Sequence, residues 1–147
     1  MKIAIGADHG GFEHKEAILS HLRKRGFECK DFGTFSSEGT DYNDYAILVA
    51  KSVSSHEFDR GILICGTGVG MSIMANKVQG IRAALVHDLF TAEATRLHND
   101  SNILTMGARV IDIEKAIKIV DVWVDTKFSN DERHIRRISK IDNYKGE

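Results

Sequence analysis

Gly61-Ile62-Leu63-Ile64-Cys65-Gly66-Thr67-Gly68-Val69-Gly70-Met71-Ser72 is the stretch on which the reading of this chain turns. Its first half, residues 61–65, is a short apolar run of the kind that forms a strand buried on both faces. Its second half sets glycines at alternate positions before residues that can open a helix. Glycines spaced in this way let the backbone approach a ligand closely and turn several N–H groups toward one point, and the helix that begins there adds its positive dipole end. An anion or an oxyanion belongs in such a turn. The alternative is a tight strand-to-helix connection that holds no ligand.

Outward from that stretch, the rest of the chain repeats the same alternation. Residues 3–6, 28–33, 82–86 and 103–106 are further short runs that predict buried strands. Between them, Ala46, Val49, Ala50 and Val53 recur at helical spacing, and Ile113, Ala116, Ile117, Val120 and Val124 repeat the stripe. Phe12, Ile18, Leu19 and Leu22 mark a helix over about residues 11–25, closed by Gly26 as a C-terminal cap. Residues 131–144 predict a last helix with Ile135, Ile138 and Ile141 facing inward. Strands alternating with helices imply right-handed βαβ units. The expected fold is a single-domain α/β protein over residues 1–147: a three-layer α/β/α sandwich, Rossmann-like, around a doubly wound parallel five-stranded sheet. In such sheets ligands bind beyond the carboxyl ends of the strands, near the topological switch point.

Composition narrows the function. The 147 residues contain no proline, which excludes polyproline linkers and argues for one domain, and 42% are hydrophobic, as in an ordinary globular core. The two cysteines, Cys29 and Cys65, form neither a framework nor a CxxC pair, so free thiols and a reducing, cytoplasmic setting are expected. No signal-peptide pattern opens the chain and no apolar run approaches membrane length, so no membrane partner is expected. A formal net charge of -1 argues against non-specific nucleic-acid binding, while allowing a local anion site.

Spacing separates the glycine loop from three known types. A dinucleotide-binding GxGxxG needs glycine where Met71 stands, and a P-loop needs glycine and lysine at Met71 and Ser72. A phosphatase-type cysteine loop needs arginine, again at Met71. Cys65, ending a strand and preceding a helix N-terminus, is a candidate base or nucleophile, and an inert buried thiol is the alternative. Cys29 has no comparable loop and reads as inert. His9 follows Asp8 at the end of the first strand, and His98-Asn99-Asp100 precedes the fifth. No HxxxH or HExxH spacing occurs, so no metal site is expected. Arg133 and Arg137 share a helix face that would suit a phosphate dianion, with a solvated charged face as the alternative.

Asp8-His9-Gly10-Gly11, Asp41-Tyr42-Asn43-Asp44-Tyr45-Ala46, the Cys65 to Ser72 loop, Ala75-Asn76-Lys77, Gly80-Ile81-Arg82-Ala83-Ala84, Arg96-Leu97-His98-Asn99-Asp100 and Gly107-Ala108-Arg109-Val110 together resemble the type B ribose-5-phosphate isomerase family, which also contains galactose-6-phosphate isomerase subunits. The resemblance runs in order along nearly the whole chain. It implies interconversion of an aldose phosphate and a ketose phosphate, ribose 5-phosphate and ribulose 5-phosphate in the pentose phosphate pathway, through an enediolate and without metal or organic cofactor. It further implies that Cys65 takes the C2 proton, that His98 helps open the furanose ring, and that Asp8 and His9 bind substrate. Gly66, Thr67, Gly68, Val69 and Gly70 match the family's anion hole, Thr67 counting among its catalytic residues with Asp8, and Asn99 and Arg109 are further ligands. Arg133 and Arg137 fall where phosphate-binding arginines lie, with Arg136 an alternative register. The family's site lies at a homodimer interface built from both subunits, and a tetramer is also compatible. Six-carbon substrates such as allose or galactose 6-phosphate, or a non-catalytic phosphate-binding module, are the competing expectations.

Overall fold

Along β3 (Arg60–Cys65) successive side chains point to opposite faces: Ile62 and Ile64 enter one apolar cluster, Leu63 and Cys65 another. One short run thus builds two cores. The computed structural model describes residues 1–146, and β3 lies at the centre of a five-stranded parallel sheet with β1 (Lys2–Ala7), β2 (Glu28–Asp31), β4 (Ala83–Leu85) and β5 (Ile103–Gly107). The order is β2-β1-β3-β5-β4. The helices are α1 (Phe12–Lys24), α2 (Tyr42–Ser54), α3 (Val69–Ala75), α4 (Leu89–Asn99), α5 (Ile113–Asp125) and α6 (Glu132–Asp142). A short 3-10 turn, His9–Gly11, precedes α1.

Ile18 and Leu22 of α1, with Ile119 and Trp123 of α5, cover one face of the sheet. Ala46, Val49 and Ala50 of α2, with Met71 of α3, cover the other. This is the three-layer Rossmann-like arrangement expected from the pattern. Local signals end the helices where the sequence placed them. Gly26, at φ +89°, closes α1 while the Gly26 and Phe27 amides donate to the carbonyls of Arg23 and Leu22 at 3.0 and 3.1 Å. Asp112 starts α5 by accepting the Lys115 N–H at 2.8 Å. Among the described residues no helix is long and apolar enough to cross a membrane.

The C-terminal helix departs from expectation. Ile135 and Ile141 of α6 are 48% and 55% exposed, Ile138 is half-buried, and His134 is the helix's buried residue. The reason is position: α6 rests against α4, outside the layers that cover the sheet, so much of its isoleucine stripe stays exposed within one chain. Two strands are also shorter than predicted. β2 ends at Asp31, whose Oδ1 accepts the Gly33 N–H at 2.8 Å and turns the chain. β4 starts only at Ala83, because the Arg82 N–H donates to the Asn102 side chain at 2.8 Å.

Candidate active site

Strand order reverses between β1 and β3, so the carboxyl ends of these two neighbours flank the switch point. There the Asp8 N–H donates to the carbonyl of Ile64 at 3.2 Å, which brings Asp8 alongside Cys65. The Asp8 side chain is buried, and its Oδ1 accepts the N–H groups of Gly10 and Gly11 at 2.9 and 3.2 Å. It therefore shapes the turn that presents His9. His9 is exposed, and its Nδ1 accepts the Thr40 N–H at 3.2 Å, which leaves the proton of the neutral ring on Nε2.

In the glycine loop, the carbonyls of Cys65 and Gly66 accept the N–H groups of Ala108 and Arg109 at 2.8 and 3.0 Å. In a trans peptide the N–H points opposite its C=O, so the following amides, those of Gly66 and Thr67, aim away from the β5–α5 turn. The Gly68 N–H donates to the Cys65 Sγ at 3.1 Å, and the Val69 N–H to the Thr67 Oγ1 at 3.3 Å. Gly68 gives α3 no side-chain cap, so the amides of Gly70 and Met71 in its first turn lack an intrahelical acceptor. Gly68 itself has φ +77°, and a Cβ there would sit 2.7 Å from the Met106 backbone. Only glycine fits. Gly70 lies under the Tyr42 ring, and the Arg109 guanidinium lies over Gly66. Met71, the residue that separates this loop from three other phosphate loops, is fully buried in the core.

The remaining predicted residues gather elsewhere. His98, Asn99, Arg133 and Arg137 line a cavity of about 290 Å³ together with His134. Arg137 rather than Arg136 faces this cavity. The His98 and His134 rings lie 4.7 Å apart. Ser129 Oγ accepts the Asp131 N–H at 3.2 Å and shares a hydrogen bond of 2.7 Å with His134 Nδ1. Burial pushes the His134 imidazole below its usual range, and the neighbouring Arg133 pushes the same way.

Within one chain these two clusters do not meet. α4 starts at its cap Asp88, just beyond the carboxyl end of β4, and runs back for 11 residues, about 16 Å, to the amino end of β5. Arg82, immediately before β4, donates to the carbonyls of Asn99 and Asp100 at 3.0 Å each, which fixes His98 and Asn99 at the amino end of the sheet. Cys65 is at the carboxyl end. The same Arg82 holds α6, because its Nη1 donates to both carboxylate oxygens of Asp142 at 2.9 and 2.8 Å.

Three residues beside these clusters are not among the site residues expected from the sequence: Tyr42 over Gly70, His134 behind His98, and His87, whose Nε2 accepts the Gly107 N–H at 2.9 Å. For His134 a signal existed, since it follows Arg133 at the start of a basic helix. For the other two, only tertiary pairing reveals the contact. Among the described residues no group of three or more His, Cys, Asp or Glu is arranged to hold a metal ion.

A thiol and a glycine loop with outward-turned Gly66 and Thr67 amides lie at the switch point of a doubly wound sheet, the place where proteins of the Rossmann-like α/β class bind small ligands. The model of the ribose/galactose isomerase family matches residues 3–141, and the chain belongs to that family. It is 52% identical over 145 residues to a putative sugar phosphate isomerase of Bacillus subtilis, covering 98% of this chain and 97% of that one. It is 50% identical over 140 residues to ribose-5-phosphate isomerase B of Escherichia coli, covering 95% and 93%. Its backbone superposes on the structure of Clostridium thermocellum ribose-5-phosphate isomerase B with a TM-score of 0.95 at 51% identity, covering 97% and 95%.

Proposed function

We propose that the chain interconverts ribose 5-phosphate and ribulose 5-phosphate through an enediolate, with Cys65 as the base. The thiolate removes the C2 proton of the open-chain aldose and returns it to C1, while the carbonyl oxygen at C1 gains a proton and the C2 hydroxyl loses one. The observation that carries this reading is the Gly68 N–H aimed at the Cys65 sulfur at 3.1 Å, inside a loop whose Gly66 and Thr67 amides are turned outward. This donor holds the sulfur against the glycine loop. The loop Gly66 to Gly70 forms the anion hole: the amides of Gly66, Thr67 and Gly70 take the developing oxyanion, where one lost donor typically costs about 10²–10³ in rate, while those of Gly68 and Val69 hold the Cys65 sulfur and the Thr67 hydroxyl. Asp8 and His9 hold sugar hydroxyls.

The rest of the site comes from a second copy of the chain. His98 of that copy opens the furanose ring by protonating its oxygen, Arg133 and Arg137 hold the phosphate, and Asn99, with Arg109 beside the loop, completes the ligands. Supporting this is the distance between the clusters, since Cys65 and His98 occupy opposite ends of one sheet. The exposed Ile135 and Ile141 supply apolar surface that an assembly would cover. We place the enzyme in the cytoplasm, where two unpaired thiols persist, as one isomerase domain over residues 1–147.

The family's description also names galactose, which favours a six-carbon sugar phosphate as the second reading. An isomerase assay on ribose 5-phosphate, allose 6-phosphate and galactose 6-phosphate, with EDTA present, decides between them. Turnover of the five-carbon substrate with exchange of its C2 hydrogen in deuterated water is the expected result. Turnover of none of the three would sink the isomerase reading.

A further inference from the structure

β4 and β5 stop pairing in an unusual way. The Val86 N–H still donates to the Thr105 carbonyl at 3.1 Å, but two residues further along β5 the Gly107 N–H finds a side chain instead of a backbone acceptor. That acceptor is Nε2 of His87, 2.9 Å away. Gly107 is buried, and its backbone lies so close to that of Thr67 that a Cβ on it would come within 2.6 Å. The Gly107 carbonyl meanwhile accepts the N–H groups of Val110 and Ile111 at 3.0 and 3.2 Å, which starts the turn that docks Ala108 and Arg109 on the glycine loop.

We propose that His87 is a positioning residue for the isomerase site: as a neutral acceptor it pins Gly107, and through Gly107 the Thr67 segment of the anion hole and the Arg109 turn. Replacing the acceptor with a methyl group strands a buried N–H, and the Gly107 backbone must then move to find another partner. Protonating the ring has the same effect by another route, because Nε2–H and the Gly107 N–H are two donors facing each other. The charged groups that face the ring are Lys115 on α5 and Asp88 on the cap of α4, and Gly107 of β5 brings none. Burial and Lys115 push the imidazole below its usual range, outweighing the opposite pull of Asp88, which keeps the acceptor form through neutral pH.

The inference rests on the isomerase reading, so wild-type turnover is measured first and the two stand apart. In an active enzyme, His87→Ala is expected to lower kcat by about tenfold to 10², the scale of a roughly 1 Å misplacement, with KM changing much less. His87→Gln, whose amide oxygen reaches the same place as an acceptor, is expected to recover most of kcat and to hold activity to lower pH than the wild type. If the alanine variant does not fold, the glutamine variant's pH profile decides alone. If the wild type turns over no sugar phosphate, the isomerase reading fails by itself, and the Gly107 amide shift in a two-dimensional NMR titration tests the contact. That shift is expected to follow a histidine titration in the wild type and to be flat in His87→Gln. Full kcat in His87→Ala, an unchanged acid limb in His87→Gln, or a Gly107 amide indifferent to pH would each overturn the proposal.

Discussion

The Cys65 sulfur accepts the N–H of Gly68, three residues on, at 3.1 Å, so the proposed base and the proposed anion hole are one hydrogen-bonded unit. Cys65→Ala is expected to lower kcat by about 10²–10⁴, the usual contribution of a positioned general base. Cys65→Ser keeps an acceptor for Gly68 but offers a far weaker base, so it should be nearly as inactive while melting close to the wild type. Steady-state kinetics beside thermal melts separate the two effects, and full activity in the serine variant would remove Cys65 from the base role.

Gly68 carries the second prediction. Its φ of +77° and the 2.7 Å approach of the Met106 backbone to any Cβ leave no comfortable place for a side chain. Gly68→Ala is expected to lose about 1–2 kcal/mol from the left-handed conformation alone, and more from the collision. Urea denaturation measures it, and a loss below about 0.5 kcal/mol would mean that the loop relaxes elsewhere.

Arg82 ties the cavity of His98 together from behind, reaching the Asn99 and Asp100 carbonyls and the Asp142 carboxylate. Truncating Asp142 to Ala frees the end of α6 and with it the aim of Arg133 and Arg137. KM for the sugar phosphate should rise by about tenfold or more while kcat falls less, since a single hydrogen bond to a charged group contributes about 1.5–3 kcal/mol. A variant with unchanged KM would show that α6 does not hold the phosphate.

The pH dependence of stability should carry a His134 signature. Its folded value is depressed, so the unfolded chain binds more protons below the ordinary imidazole value of about 6.5. The contribution is therefore complete above that pH and is lost as pH falls beneath it. The wild type should lose more melting temperature between neutral and mildly acidic pH than His134→Gln does. Parallel curves would place the buried ring outside the linkage. Arg133, His98 and Arg137, with Asp131 opposing, are the groups whose charges act on it.

Much of this architecture could be read from local pattern. Residues 61–65 alternate across a sheet, Gly26 ends a helix with a positive φ, and the spacing of Gly66, Gly68 and Gly70 is itself a backbone statement. What escaped reading depends on pairing between distant segments. The strand order that leaves β4 at the edge, the orientation of α6 and the meeting of His87 with Gly107, 20 residues apart, follow from tertiary register that no window of sequence contains. The inward-facing isoleucines of α6 failed for the same reason. Their stripe is real, but the layer it was assigned to is already filled by α5.

A chain that carries the two clusters at opposite ends of its sheet has a genetic consequence. In the proposed two-fold assembly each centre would borrow one cluster from either chain, so a lesion in Cys65 and a lesion in His98 would damage different halves. Mixing the inactive Cys65→Ala and His98→Ala proteins and letting subunits exchange should restore one sound centre in every hybrid, or about one quarter of wild-type activity after random reassortment. Two null alleles of this gene would then rescue each other in one cell. Persistent inactivity of the exchanged mixture would instead require both clusters to serve a centre within a single chain.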